Sequence, residues 1–206
     1  MSRAMFITLD GIDGVGKSTQ IARLMDHLAE HGHETLLVRD PGTTKIGAKL
    51  REILLESELE LHRRTEAMLF MASRCEMVET VLRPALKAGK TIVSDRFLLA
   101  NVVYQSVGGD VPADLLWEMG RLANGGLKPD LTLLLDMPAA RSMERLGNET
   151  DRMESRGVDY MEAVRQAFLE QLPQSSEATA ILNADQSPSE VSRDMLESVN
   201  RLLKQS

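Results

Sequence analysis

Five short runs along the chain are apolar almost without interruption: "MFITLD" (5–10), "ETLLVR" (34–39), "KTIVSD" (90–95), "DLTLLLD" (130–136) and "ATAILNA" (178–184). Continuous rather than alternating apolarity predicts strands covered on both faces, as in a parallel sheet. Between these runs the hydrophobic positions recur with helical spacing. Residues 18–31 form one such stretch, closed by Gly32. Residues 63–88 form the longest, with Met68, Met71, Cys75, Val78, Leu82 and Leu86 on its apolar positions and Gly89 as its stop. Pro84 is expected to bend the last turn of that helix. Strand and helix alternate over the whole length. This predicts an α/β fold, a doubly wound parallel five-stranded sheet surrounded by helices with right-handed crossovers. No internal repeat or low-complexity tract interrupts it, so 1–206 is expected to be a single domain.

One segment breaks the pattern. "RLGNETDRMESRG" (145–157) is polar, charged and flanked by helices. It reads either as a solvated loop or as a lid that closes over a phosphate.

The 206 residues are enough for a sizeable core. Hydrophobic residues make up 43% and charged residues 27%, ordinary for a globular chain. The net charge of −7 argues against nucleic acid as a partner. Any bound anion must be held by local positive groups against the overall field. Aromatics at 3% leave no stacking platform for single strands. Cys75 is the only cysteine, which rules out an internal disulfide and suits a reducing compartment. The first five residues lack the apolar core of a secretory signal, and no run is long enough to cross a bilayer. The expectation is a cytoplasmic protein with no membrane partner.

The chemistry starts at "GIDGVGKS", residues 11–18, which satisfies G-x-x-x-x-G-K-[ST] between a strand and a helix. Gly11, Ile12, Asp13, Gly14, Val15 and Gly16 let backbone N–H groups turn toward phosphate oxygens. The helix that follows aims its positive end at the same place. Lys17 is placed to reach the β- and γ-phosphates, Ser18 offers a hydroxyl to Mg²⁺, and Thr19 follows. The predicted ligand is a nucleoside triphosphate, ATP. A GTPase would carry a guanine-reading N-K-x-D, and none is present; "TTKIG" (43–47) lacks the aspartate. A small chain with a phosphate loop and a basic lid suggests transfer onto a small acceptor.

Five motifs in order resemble the thymidylate (dTMP) kinase family over nearly the whole chain. They are "LDGIDGVGKST", "VRDPGTTKIGAKLREILL" (38–55), "MLFMASRCEMVETVLRPAL" (68–86), "VSDRFLLANVVYQS" (93–106) and "DRMESRGVDYMEAVRQAFLEQL" (151–172). The second carries Asp40 where the family has glutamate and Thr43 where it has a second glycine. The fourth has Val103 for alanine and Ser106 for glycine.

The resemblance implies phosphorylation of dTMP by ATP and Mg²⁺, in a homodimer. Phe70 and Arg74, four apart on one helix, would stack on the pyrimidine and bond its carbonyl. Asp95 would serve the metal beside Ser18, and Arg96 would clamp the acceptor phosphate. Asp136 closes another strand and ranks below Asp95. Asn101, Tyr104 and Gln105 would reach sugar and base, with Tyr104 crowding a ribose 2′-hydroxyl. Asp13 would accept from the 3′-hydroxyl or act on the phosphate loop. Arg145 would stack on the adenine side, and "LNADQSP" (182–188) looks like the adenine-contacting loop. The loop has no arginine of its own, so Arg152, and after it Arg156, would supply charge from the lid. Two rivals stay open: a kinase for another nucleoside monophosphate, and a non-catalytic nucleotide-binding protein of the same fold.

Overall fold

The computed structural model describes residues 3–56, 60–109, 111–146 and 157–205. All five expected strands form, within one residue of their predicted ends: β1 (Phe6–Asp10), β2 (Thr35–Arg39), β3 (Thr91–Asp95), β4 (Leu131–Asp136) and β5 (Ala178–Asn183). They build one parallel sheet in the order β2-β3-β1-β4-β5. Leu9 lies opposite Asp95, which lies opposite Arg39, so β1, β2 and β3 end side by side. Strand order reverses around β1, and ligands of such sheets bind outside the carboxyl ends at that point.

The prediction of strands covered on both faces holds for β1, β3 and β4, whose residues are buried apart from the terminal aspartates of β3 and β4. It fails for β2 and β5. These are the sheet edges, and Leu37 and Ile181 are exposed there. An edge strand loses cover on one side, which a local hydrophobic pattern does not report.

Helix α1 (Lys17–Glu30) follows the first loop. A short α2 (Lys45–Arg51) is capped by Thr44, whose side chain accepts from the Gly47 N–H at 2.8 Å. The long helix expected over 63–88 comes in three parts: α3 (Arg63–Met77), a π-helical stretch (Val78–Leu82) and α4 (Arg83–Lys87). Pro84 has no N–H to offer the preceding turn, and the wide turn just before it absorbs the mismatch. Next come α5 (Leu98–Ser106), α6 (Ala113–Ala123), α7 (Ala139–Leu146), α8 (Val158–Gln171) and α9 (Pro188–Gln205). Helix α1 packs on α9, while α5 packs on α3, α6 and α8. Eight of the nine residues of α5 are buried, so the side chains it presents are held firmly. Phe97, just before α5, meets Phe6 edge-on with ring centroids 4.9 Å apart.

Candidate active site

The loop between β1 and α1 is built for close backbone approach. Gly11 has φ 138° and Gly14 φ 78°, conformations that favour glycine. A Cβ on Gly11 would fall 2.5 Å from the Leu135 carbonyl oxygen, and one on Gly14 would fall 2.4 Å from that of Ser142. Glycine is therefore required by space as well as by φ. The second contact also places α7, with Arg145 exposed in its last turn, directly against the loop. Arg141 of the same helix reaches Asp185 at 3.5 Å, joining α7 to the 182–188 loop. Ser18 and Thr19 stand exposed in the first turn of α1.

Lys17 does not point into solvent. Its Nζ donates to the carbonyls of Gly11 (3.0 Å) and Ile12 (2.7 Å) and pairs with Asp13 at 3.3 Å. Burial, then the charge of Arg96, pull the ammonium down to about 8 in spite of Asp13. Arg96 approaches Asp13 from the other side. Its guanidinium donates to Asp13 at 2.7 Å and to the Gly11 carbonyl at 3.1 Å, and it lies 5.1 Å from the Tyr104 ring centroid. Burial alone would raise the Asp13 carboxyl, but Arg96 and Lys17 outweigh it and hold it far below the usual range. Arg96 also adopts φ 67°, rare for a side chain of its size. Such strain persists only where surrounding contacts fix it, and it is concentrated at functional sites.

Three carboxylates end strands near this cluster, and they differ. Both Asp136 oxygens are taken by Arg165, at 2.7 and 2.8 Å. Asp95 keeps one buried oxygen without a hydrogen bond, and its nearest cation is Arg39 at 3.6 Å. Asp10 is fully buried with neither oxygen bonded. Burial pushes its carboxyl up to about 6, against the pull of Arg96 and Lys17.

A cavity opens beside Asp13 and Arg96. Phe70, Arg74, Asn101, Tyr104 and Gln105 line it, so residues from α3 and α5 meet as expected. Arg74 is buried and nearly saturated. Its Nε donates to Asp40 at 2.6 Å, one Nη to Asn101 at 2.9 Å, and the other to the Phe97 carbonyl at 3.4 Å. Asn101 in turn donates to Gln105 at 2.6 Å, leaving the Gln105 amide nitrogen buried and bare. Arg39, Asp40, Pro41, Arg51, Leu55, Phe97 and Ala100 complete the walls and were not foreseen as site residues. Asp10 was missed too. Its signal was available: a carboxylate closing an apolar strand directly before the first loop glycine. Arg152 and Arg156 lie outside the described residues. Arg145, expected at the end of the helix that leads into the lid segment, lies in the last turn of α7.

Fold and site together define a phosphate-loop nucleotide-binding protein with a second cleft on the same sheet end. The family model for thymidylate kinase matches residues 9–195, and the chain belongs to that family. It is 64% identical over 185 residues to a thymidylate kinase of Rhodopirellula baltica, covering 90% of this chain and 76% of that one. It is 45% identical over 168 residues to that of Clavibacter michiganensis subsp. michiganensis, covering 80% of each. The thymidylate kinase of Desulfovibrio desulfuricans is 39% identical over 197 residues, covering 91% of each.

Proposed function

We propose that this chain phosphorylates dTMP to dTDP with ATP as donor, the phosphotransferase activity of its family. Asp13 carries the reading. One carboxylate holds donor-side Lys17 and acceptor-side Arg96 at once, so the two phosphates converge over it. The acceptor phosphate is already an anion and attacks in line, so no covalent nucleophile is needed. Catalysis is positioning plus neutralisation of charge on the transferring group. On binding, Lys17 exchanges loop carbonyls for phosphate oxygens, and the loop N–H groups take up the rest. Arg96 clamps the acceptor phosphate, while Phe70 and Arg74 hold the base. Asn101, Tyr104 and Gln105 border sugar and base, and Arg145 stacks on the adenine. Arg152, with Arg156 four residues on, supplies the remaining positive charge.

Mg²⁺ fits the residues present. Asp95 offers a buried oxygen without a partner, and Ser18 an exposed hydroxyl at the helix start. No group of three or more metal-binding side chains occurs among the described residues. That suits an ion held by one or two protein oxygens plus phosphates and water. When bound, it would offset charge on the β- and γ-phosphates.

A homodimer and a cytoplasmic location complete the proposal. Met71 and Met77 of α3 are buried in the core. Met68 is exposed and lines an apolar groove with Val111, Leu115 and Met119 between α3 and α6, which a second copy would cover. No helix among the described residues is long and apolar enough to cross a membrane.

The deciding experiment is coupled ADP production with a panel of monophosphates. The dTMP assignment is lost if dTMP gives no more ADP than water while dUMP, dCMP or AMP does.

A further inference from the structure

We infer that Asp40 is a specificity-determining positioning residue: it locks the Arg74 guanidinium so that the acceptor cleft presents a fixed donor to the base. The inference rests on the reading that Arg74 meets the base. The two side chains come from distant parts of the chain, Asp40 from just beyond β2 and Arg74 from α3. They meet at 2.6 Å with side-chain exposures of 1% and 2%. The Asp40 backbone is fixed as well, its N–H donating to the Asp95 carbonyl at 3.1 Å. Asp40 therefore ties Arg74 to the end of the sheet.

Arginine has five N–H groups and no acceptor. Asp40, Asn101, the Phe97 carbonyl and, weakly, the Met71 sulfur at 3.3 Å engage most of them. The guanidinium plane is thus set before the acceptor arrives. A fixed donor demands a carbonyl opposite it, because a ring amino group would leave two donors facing each other in a desolvated cleft. Such a mismatch discriminates far better than shape alone. An arginine free to swing aside would relax the demand. Asn101 holds one side of Arg74, and only Asp40 holds the Nε side with charge.

The bare second oxygen of Asp40 supports the inference. A buried carboxylate with one oxygen unbonded costs more than a neutral residue of the same shape. Packing alone does not explain its presence, whereas a charge needed to anchor Arg74 does.

The test compares Asp40→Asn and Asp40→Glu with the wild type, using dTMP and dCMP as alternative acceptors. Asp40→Asn is expected to raise KM for dTMP about tenfold, leave KM for ATP unchanged, and lower the dTMP-over-dCMP ratio of kcat/KM about tenfold. Asp40→Glu keeps the charge one methylene further out and should restore most of that ratio. In an Arg74→Lys background, Asp40→Asn should change the ratio less than twofold. An unchanged ratio in Asp40→Asn overturns the inference, as does loss of kcat alone. If Asp40→Asn does not fold, Asp40→Ser, which removes the charge with a smaller side chain, decides: a fall in the ratio of about fivefold or more supports the inference, and an unchanged ratio overturns it. Wild-type enzyme that fails to prefer dTMP would sink the underlying reading instead.

Discussion

The phosphate loop and the acceptor cleft sit side by side but are made differently. The loop is contiguous in the chain, and its binding groups are backbone N–H groups exposed by glycines. Its charges are only partly matched in the free protein: Lys17 pairs with Asp13 but is otherwise buried on loop carbonyls, and neither oxygen of Asp10 is hydrogen-bonded. The cleft draws its walls from β2, α2, α3, α5 and the segment that joins β3 to α5, and its main charge, Arg74, is almost fully bonded before any ligand arrives. The loop is primed to exchange its internal contacts for phosphate. The cleft is preorganised to hold one shape. Loop substitutions should therefore act on rate, and cleft substitutions on acceptor selection.

The largest effect is expected at Lys17. Lys17→Ala should lower kcat/KM by roughly 10²–10⁴, because nothing else in the loop neutralises the β- and γ-phosphates. Folding should persist with a lower Tm, since Arg96 still holds Asp13 and the Gly11 carbonyl in place. Steady-state kinetics with a melting curve would check both, and near wild-type turnover would remove the ATP-site assignment. Arg152→Ala is expected to lower kcat over a similar range, with little change in dTMP affinity.

Arg74→Ala should act on the other side of the comparison. A hydrogen bond from a charged donor is worth roughly 1.5–3 kcal/mol, so KM for dTMP should rise about 10- to 100-fold. KM for ATP should not move. A change confined to ATP would mean that α3 faces the wrong partner.

The same contrast decides what could be read before the structure. Loop, strands and nucleotide class were legible because each is a local pattern: glycine spacing, a continuous apolar run, a helix start. Phe70 and Arg74 were legible as a pair because a helix fixes the i, i+4 relation. The partners of Arg74 were not. Asp40 is 34 residues away and Asn101 is 27, and no local periodicity connects them. The burial of Lys17 was also illegible, since a loop lysine ordinarily reaches solvent. Asp10 was overlooked because it closes an apolar strand, where it passes for the polar end of a buried segment.

A smaller effect concerns pH. Lys17 loses its proton at about 8 in the free protein, and triphosphate binding needs the charged form. KM for ATP is expected to stay flat below pH 8 and rise above it, while KM for dTMP changes less. An ATP curve flat to pH 10 would show that Lys17 stays protonated in the free loop.

The smallest effect tests whether the loop side is strained at all. The Asp10 carboxyl has its folded-state value raised to about 6 from an ordinary 3.8, so the native state favours the proton. Below about pH 4 the group is neutral in both states and costs nothing extra. Between pH 4 and 6 the unfolded chain ionises first, and native stability falls as pH rises. Above 6 the penalty is complete, on the order of 2–3 kcal/mol at 1.36 kcal/mol per unit. Asp10→Asn removes the charge but leaves a buried amide to be satisfied, so about 1–2 kcal/mol should be recovered. For a chain of this size that is a rise in Tm of roughly 2–8 °C at pH 8, fading toward pH 4. Melting curves of wild type and variant at both pH values measure it. A lower Tm for the variant at pH 8 would mean that Lys17 and Arg96 stabilise the carboxylate by more than burial costs. The phosphate loop would then be as well matched in the free state as the cleft beside it, and the contrast between the two sites would rest on geometry alone.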